Sequence, residues 1–454
     1  MKGLRRPIAL ARWLLPGLGV KRWLIVAALG AVLLVNGISR WLTDEGAHIG
    51  ANELVDWIIG DFFPPANLSY VFMVLGVLLI ALGIWRWLNS IVMAVTPYGT
   101  PDSMIDALLE TRLKRGYKIV TVGGGTGLST LLRGLKKHTS NLTAIVTVSD
   151  DGDSSGRLQK ELGVLPPGDI RNCLVALADD EALVTDLFRY RFTEGDGLTG
   201  HSFGNLFLAA MTGITGNFDE AIKVSSRVLN VKGRVIPATL SVARLCAQLV
   251  DGTIVEGESN ITASPGAIDH VYLDPIDARP LDDVITAIRD ADAIVLGPGS
   301  LYTSILPNLL VEKIAAEIEL ASAVKIYVCN VMTQPGETAG YSASQHVEKL
   351  FDNAHARVCD IVVVNDQLPR KLREAYAVEG QVPVEVDTVD LDRLGVKTVR
   401  ASVISETENV RHDPEKLAAV IVGIIDERIA QRASYVKFKS APAEAARIEP
   451  LRRG

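Results

Sequence analysis

A short apolar run that ends in a cluster of glycines places the strongest constraint on the fold of this chain. Residues 118–122 read as a buried strand, and 130–136 continue as a helix. Glycines let the backbone approach a phosphate closely, and a helix N-terminus offers free N–H groups and partial positive charge. The motif predicts a phosphate or diphosphate site; the alternative is a turn that only packs the helix on the strand. The loop consists of Gly123, Gly124, Gly125, Thr126 and Gly127.

The glycine loop lacks the residues of two common nucleotide-binding signatures. Leu128 stands where the third glycine of the G-x-G-x-x-G fingerprint belongs, and no Gly-Lys-Ser/Thr follows as in a Walker motif. The second predicted strand ends in acids followed by serines. A nicotinamide dehydrogenase is therefore the weakest of the functions considered.

Apolar runs separated by helix-length stretches indicate the fold class. Strands buried on both faces and alternating with helices are typical of a parallel sheet covered by helices on both sides. Apolar residues at helical spacing predict a last helix at 413–431. The sequence thus predicts an α/β domain with strands at 118–122, 144–148, 293–296, 325–328 and 360–364.

Two long apolar segments precede this pattern, at about 23–42 and 68–87. Each approaches the roughly 20 residues that a helix needs to cross a bilayer. Basic residues, among them Arg5, Arg6 and Arg22, come before the first segment, whereas the connecting loop carries only acidic charges. Because basic residues stay on the cytoplasmic side, the pattern predicts two transmembrane helices with both chain ends in the cytoplasm. The alternatives are a cleaved signal peptide and buried core helices.

These patterns divide the 454 residues into four parts. We expect a membrane anchor at 1–95, a connector at 96–116, one α/β domain at 117–431 and a flexible tail at 432–454. The net charge of −7 argues against nucleic-acid binding. The four cysteines are far apart and form no metal-spaced pair, which indicates reduced thiols rather than disulfides or zinc ligands.

An acidic motif follows the second predicted strand. Asp150 and Asp151 come at its carboxyl end, where side chains point into the ligand crevice of an open α/β sheet and could hold magnesium or a ribose hydroxyl. Ser154, Ser155 and Arg157 could bind phosphate oxygens. The alternative is an exposed Asp-Gly turn.

Two helix starts add further candidates. Gly168 and Asp169 lie in a rigid turn that leads into a helix, so Asp169 is either a ligand residue or the N-cap. A second helix starts near His201, which is either an acid or base, or a cap or hydrogen-bonding group. Side chains on the first turns are better ligand candidates, and these are Arg171, Asn172 and Asn205.

A second glycine loop follows the strand at 293–296. Gly297, Pro298, Gly299 and Ser300 precede another helical stretch, and Asn330 ends the next strand on the same edge. Two strand–loop–helix units predict two anionic groups, or two halves of one nucleotide ligand, bound at the carboxyl edge of the sheet.

Six of these segments together resemble the gluconeogenesis factor family (YvcK-like), which is related to 2-phospho-L-lactate transferase (CofD). The similarity runs in order over about residues 117–430. Asp153 departs from the commonest family pattern, DDGGSSG, which has glycine there. The matching segments are GGGTGLSTLLRGLK at 123–136, SDDGDSSGRL at 149–158, LPPGDIRNCL at 165–174, HSFGNL at 201–206, LGPGSLYTSILPNLLV at 296–311 and CNVMTQPGET at 329–338.

The resemblance implies a Rossmann-like CofD fold in a bacterial protein that supports cell shape and wall homeostasis during gluconeogenic growth. Family members are described as binding UDP-sugars, notably UDP-N-acetylglucosamine, and both glycine loops fall on the expected crevice. Asp150 and Asp151 match the acidic stretch where the transferase relatives would use a divalent metal. The apolar segments and their flanking charges, rather than the resemblance, predict a multi-pass anchor in the inner membrane with the N-terminus and the large domain in the cytoplasm, because the simplest family members lack such a hairpin.

Two functions remain open at this point. The first is a membrane-tethered regulatory protein that binds a UDP-sugar, requires no cofactor for binding, and has cell-wall synthesis proteins and a second copy of itself as candidate partners. The second is a magnesium-dependent phosphotransferase that moves a phospholactyl-type group from a nucleotide-diphosphate donor, with Asp150 and Asp151 as candidate catalytic residues. The same groups stabilise a bound diphosphate and a transferring one, so the sequence does not separate binding from turnover.

Overall fold

The computed structural model describes residues 20–42, 65–95, 109–179, 181–366, 380–406 and 410–440. They belong to two compact units that divide between Thr111 and Arg112, within the predicted connector. The predicted acidic loop at 43–64, the connector residues 96–108 and the last tail residues at 441–454 lie outside the described residues.

The N-terminal unit contains two long antiparallel helices, α1 (Val20–Leu42) and α2 (Pro65–Val95). Both are long and apolar enough to cross a membrane, over Arg22–Ser39 and Ser69–Ser90. Their large apolar side chains are mostly exposed; Leu29 and Leu78, for example, are 58% and 60% exposed. The two apolar segments are therefore helical, and their composition and exposure differ from those of a buried core helix.

Glycines set the distance between these helices. A Cβ at Gly30 would lie 2.8 Å from the carbonyl oxygen of Gly76, and one at Gly83 would lie 2.7 Å from the backbone nitrogen of Ala27. Side chains at these positions would hold the two backbones apart. Small residues at such a close crossing are typical of helix pairs in membranes.

The described residues of the second unit contain twelve strands. A seven-stranded sheet has the order β10-β9-β8-β7-β1-β2-β3, and all its neighbouring strands are parallel. The remaining strands form a three-stranded sheet, β5-β4-β6, and a hairpin, β11-β12. In chain order the strands are β1 (Ile119–Gly123), β2 (Leu142–Val146), β3 (Arg234–Pro237), β4 (Arg244–Leu249), β5 (Ile254–Glu256), β6 (Ile268–Asp274), β7 (Ala293–Leu296), β8 (Val324–Val328), β9 (Ile361–Asn365), β10 (Lys397–Ala401), β11 (Ile404–Glu406) and β12 (Val410–His412).

Helices cover both faces of the large sheet. Side chains alternate along each strand, so Val120 and Val122 enter one apolar core while Ile119 enters the other. A π-helical turn, Leu301–Ile305, leads into a short helix at Leu306–Leu309. The helices are α3 (Gly125–Leu135), α4 (Asp153–Leu162), α5 (Gly168–Leu177), α6 (Glu181–Arg189), α7 (Phe203–Thr215), α8 (Phe218–Val228), α9 (Glu258–Ala263), α10 (Asp282–Arg289), α11 (Leu306–Leu309), α12 (Ile314–Leu320), α13 (Ala343–Ala354), α14 (Thr388–Arg393) and α15 (Pro414–Ser440).

The predicted α/β fold is confirmed, and the five predicted strands are present with ends shifted by up to two residues. The sequence pattern does not predict the edge strands β3 and β10, because the segments RVIP and KTVRA are short and partly polar. It also does not predict the strands of the small sheet and the hairpin. The last predicted helix is too short. A flexible tail was expected from 432, but α15 continues to Ser440 because no proline or glycine interrupts 432–440.

The order of the strands indicates where along the sheet a ligand can bind. From β1 the chain builds β2 and β3 on one side, and β7 later returns to the other side of β1 and continues outward. In open α/β sheets, ligands bind outside the carboxyl ends of the strands at such a switch point. The glycine loops after β1 and β7 both lie there.

Helix α3 packs against the start of α15 through Gly134. A Cβ at position 134 would overlap the carbonyl oxygen of Pro414. We expect Gly134→Ala to lower the free energy of unfolding by about 2 kcal/mol, because α15 has to move away. Urea denaturation of the full chain in detergent measures this change.

Gly423→Ala is the matched control. Gly423 lies inside α15 with open space around its Cα, so alanine should raise the free energy of unfolding by about 0.5–1 kcal/mol. Equal effects of the two alanines would contradict the proposed packing of α3 on α15.

Candidate functional site

The two predicted glycine loops touch each other at the switch point. A Cβ at Gly123 would lie 3.8 Å from the Cα of Gly297, and one at Gly127 would overlap the carbonyl oxygen of Pro298. Gly297 has a φ of 78°, which favours glycine. The glycines therefore do more than pack α3 on β1: they allow the two loops to meet.

A cavity of about 360 Å³ opens beside the paired loops. Of the predicted site residues, 124–127, 298–300 and Asn330 line it. The N–H groups of Thr126 and Gly127 are at the start of α3, where a helix has no carbonyl acceptor for them. The first loop thus presents main-chain donors to the cavity, as an anion site requires.

The second loop is different, because an internal carboxylate occupies its helix start. Glu337 is only 4% exposed and accepts a hydrogen bond from the Thr303 hydroxyl at 3.0 Å. It also accepts from the N–H groups of Tyr302 and Thr303 in the π-helical turn. The sequence suggests two anions or two halves of one ligand, but the geometry leaves a free helix N-terminus only at the first loop.

Asp169 links α5 to the first loop. Its carboxylate accepts a hydrogen bond from the N–H of Gly125, and a Cβ at Gly124 would overlap it. The N-cap position of α5 is Pro167, so the interpretation of Asp169 as the cap is wrong. Burial and the charge of Asp150 raise the pKa of Asp169 to about 7.

Asp150 and Asp151 have separate partners. Asp150 accepts from the N–H of Gly152 at 3.0 Å, and burial raises its pKa. Asp151 accepts from the N–H and the hydroxyl of Ser259 at 3.0 and 2.7 Å. These contacts tie the segment after β2 to the start of α9, so it is not a free Asp-Gly turn.

Glu258, the residue before Ser259, brings a further carboxyl group to the cavity wall. Burial, followed by the charges of Asp150 and Asp169, raises its pKa to about 9. Within the described ranges, no three His, Cys, Asp or Glu side chains are grouped to hold a metal by themselves. Magnesium is usually bound by one or two carboxylates together with waters and substrate phosphates, and Asp150 and Glu258 fit that requirement.

Several other predicted residues form one hydrogen-bond network beside the acids. Arg171 donates to the Ser202 hydroxyl at 2.7 Å and to the Asn205 amide oxygen at 2.9 Å. Asn205 donates to the Ser154 hydroxyl at 3.1 Å, which in turn lies 2.9 Å from Nδ1 of His201. The network connects α4, α5 and α7. Ser155, which donates to Asp150, and Asn172, which accepts from Arg171 at 3.0 Å, complete it.

His201 and Arg157 do not line the cavity, and neither do the other residues of this network, Gly168 or the aspartates Asp150, Asp151 and Asp169. His201 is buried, and burial and the charge of Arg157 lower its pKa, while Ser202 caps α7. The hydrogen-bonding interpretation of His201 therefore fits the geometry. Arg157 donates to the carbonyl of Thr199 at 2.9 Å. Gly168 also has a packing role, because a Cβ there would overlap the carboxylate of Asp150.

Asp153, the departure from the family pattern, has a φ of 35°. This conformation favours glycine over residues with a Cβ, which explains glycine in the commoner DDGGSSG form. The chain adopts the turn even with aspartate at this position.

Glu258, Gln381, Arg411 and His412 line the cavity although they lie outside every predicted motif. Five further lining residues belong to the predicted motif segments but are not among the predicted site residues: Thr130, Ser304, Val331, Met332 and Gln334. Arg411 and His412 belong to β12, far along the chain from every glycine motif. Burial lowers the pKa of His412 to about 4, and its Nε2 is buried without a hydrogen-bond partner among the described residues. No local motif marks them, because they reach the cavity only through the fold of the hairpin.

Comparisons with known proteins agree with this architecture. The family described as 2-phospho-L-lactate transferase CofD matches residues 119–404. The gluconeogenesis factor of Bacillus subtilis is 50% identical over 312 residues, which are 68% of this chain and 98% of that protein. A gluconeogenesis-factor relative from Nostoc sp. is 49% identical over 419 residues, 90% of this chain and 91% of the relative.

A solved structure extends the comparison to three dimensions. The crystal structure of a UPF0052 family member from Bacillus halodurans has a TM-score of 0.66 and 48% sequence identity. The match covers 68% of this chain and 99% of the other.

The raised pKa of Asp169 predicts a pH dependence of stability. The folded state holds this proton more tightly than the unfolded chain, so the stabilising contribution is complete below about pH 4 and is lost as pH rises to about 7. We expect Asp169→Asn to remove this loss and to gain up to about 4 kcal/mol over the parent chain above pH 7. Urea denaturation from pH 4 to 8 measures it; parallel curves for the two chains would contradict the assignment.

Proposed function

Because the chain belongs to the gluconeogenesis factor family of CofD-domain proteins, we propose that it is a regulatory protein that binds a nucleotide-diphosphate sugar. The ligand proposed is a UDP-sugar such as UDP-N-acetylglucosamine, and the output is control of cell shape and wall homeostasis during gluconeogenic growth. The observation that carries the proposal is the free N-terminus of α3 at the 360 Å³ cavity beside the paired glycine loops.

In this proposal the diphosphate lies at the N–H groups of Thr126 and Gly127. Arg411, on the opposite hairpin, supplies positive charge to the ligand. Asn330 and Ser300 supply amide and hydroxyl groups for the polar parts of the nucleotide or sugar. An acidic chain with a net charge of −7 would thus bind an anion through main-chain donors and one guanidinium rather than a broad basic surface.

The pKa values of two nearby side chains favour binding over turnover. Burial raises the pKa of Cys329 to about 12, and burial lowers the pKa of His412 to about 4. An efficient acid or base has a pKa near the working pH, and a reactive cysteine has a lowered one. Both groups therefore fit a structural role better than a chemical one.

We further propose that α1 and α2 anchor the protein in the inner membrane. Their exposed apolar side chains, their close glycine crossing and the basic residues before α1 support two spans with both ends in the cytoplasm. The ligand-binding unit would then work beside the membrane, where cell-wall synthesis proteins are the proposed partners; a homodimer is a second proposed association.

The acidic side chains favour a second candidate function, a magnesium-dependent phosphotransferase. Burial raises the pKa of Asp150, Asp169 and Glu258; the charge of Asp150 further raises the pKa of Asp169, and the charges of Asp150 and Asp169 further raise that of Glu258. A divalent cation bound with the diphosphate would favour their charged forms and stabilise negative charge on the transferred group. Asp150 and Glu258 would hold the ion, while Arg171, fixed by its hydrogen bonds, would face Asp150.

Arg411→Ala tests the nucleotide-sugar proposal. We expect purified full chain in detergent to bind UDP-N-acetylglucosamine saturably, and the variant to bind about tenfold more weakly or worse, because it loses a charge-assisted contact to the diphosphate. Calorimetric titration measures both affinities. Arg400→Ala, which removes an exposed arginine from β10, is the control and should leave the affinity unchanged. No saturable binding by the parent chain would refute the proposal.

Asp150→Asn tests the phosphotransferase. This function predicts nucleotide release when a nucleotide-diphosphate donor, a deazaflavin precursor and magnesium are combined with the chain. The variant should then release nucleotide about a hundredfold more slowly, since it loses a charged magnesium ligand. Asp153→Asn changes an exposed carboxylate in the same segment and is the control. An unchanged rate in Asp150→Asn would exclude the metal role, and no release by the parent chain would exclude the transferase.

A further inference from the structure

The end of the helix pair where α1 begins and α2 ends carries two arginines on one indole ring. The guanidinium carbon of Arg22 lies 5.3 Å from the ring centroid of Trp23, and that of Arg86 lies 5.1 Å from the same centroid. Arg86 is also 5.5 Å from the ring centroid of Trp85. These distances are within the range of cation–π attraction. Two helices therefore bring two positive charges to a single ring.

The helix packing keeps these charges together. Gly83 on α2 contacts Ala27 on α1 about one helical turn away from the two arginines, along the helix pair. The distance leaves no room for a side chain on residue 83. The helix ends can separate only if this contact opens. The backbone contact between Gly83 and Ala27 therefore keeps Arg22 and Arg86 close to each other.

Neither guanidinium has an acidic partner in the part of the chain that the structure describes, and both arginines are exposed. At the same end, the indole N–H of Trp87 is buried and has no acceptor among those residues. Two like charges on one ring repel each other. Cation–π attraction to the ring offsets only part of this repulsion, and an anion between the guanidinium groups would offset the rest.

We propose that Arg22, Trp23 and Arg86, here termed the arginine–indole site, bind the phosphate of an anionic phospholipid headgroup at the cytoplasmic face of the membrane. The inference rests on the membrane anchoring proposed above and not on UDP-sugar binding. The site lies at the end of the apolar spans, where tryptophan rings favour the interface and lipid phosphates are found. The exposed side chain of Ile25 continues from the site along α1 and offers an apolar surface for an acyl chain.

Charge selects among lipids at this site. A zwitterionic headgroup brings its own cation, which two unpaired guanidinium groups repel, whereas phosphatidylglycerol brings only the phosphate charge. Free inorganic phosphate shares the charge but lacks the acyl chains, and so gains nothing from the apolar faces of α1 and α2.

The test uses the full chain in detergent micelles, titrated with phosphatidylglycerol or phosphatidylcholine and followed by native mass spectrometry. We expect the chain to prefer phosphatidylglycerol by about tenfold or more. The double variant Arg22→Gln/Arg86→Gln should lose this preference. Trp23→Leu, which keeps both charges, should weaken it severalfold. Arg5→Gln/Arg6→Gln removes the same charge from the sequence before α1 and should retain the preference.

Four results would overturn the proposal. Equal losses in the Arg5/Arg6 and Arg22/Arg86 variants would indicate general charge attraction, and an unchanged preference in Trp23→Leu would exclude the ring. Full displacement of phosphatidylglycerol by inorganic phosphate would assign the site to the free ion. Alkaline carbonate washing of membranes tests the anchoring separately. Release of the chain in this wash would overturn both the membrane anchoring and the arginine–indole site. A failed UDP-N-acetylglucosamine titration would leave the arginine–indole site standing.

Discussion

The contact between the loops after β1 and β7 is the one on which the ligand site depends. Gly127 lies so close to the carbonyl of Pro298 that no side chain fits between them. This approach forms the cavity at the switch point and fixes which donors remain available. Asp169 takes the N–H of Gly125, and Glu337 takes those of Tyr302 and Thr303, so the main-chain donors left at the start of α3 define one position for an anion.

The electrostatics of the site follow from this arrangement. Carboxylates pack against glycine backbones at Gly124 and Gly168, and burial, followed by the charges of neighbouring carboxylates, raises the pKa of Asp169 and of Glu258. A bound diphosphate would therefore meet neighbours that accept protons or a cation readily. The regulatory proposal requires no cation for binding, whereas the catalytic proposal requires one for the reaction, and both use the same geometry.

The α/β fold and the two glycine loops of the site could be predicted from the sequence because each is encoded in a short, continuous segment. A buried strand followed by glycines and a helix start identifies the loops at 123–127 and 297–300 wherever it occurs. Glu258, Arg411 and His412 could not be predicted in this way, since a small antiparallel sheet and a hairpin carry them to the cavity. The role of Asp169 was open for a related reason: its partner, Gly125, is distant in sequence, and a helix start alone fits a cap equally well.

The contacts of α15 with much earlier parts of the chain have a consequence for biosynthesis. The hydroxyl of Tyr117, just before β1, donates to Asp426 in α15, 309 residues later, at 2.5 Å. Arg411 and His412 immediately precede α15 and supply the far wall of the cavity. A ribosome therefore releases the glycine loops long before it releases the residues that complete the cavity around them. The nascent chain has no finished pocket until Arg411 and His412 have been made, whereas α1 and α2 are made before both glycine loops and can pack together while the rest is still being made.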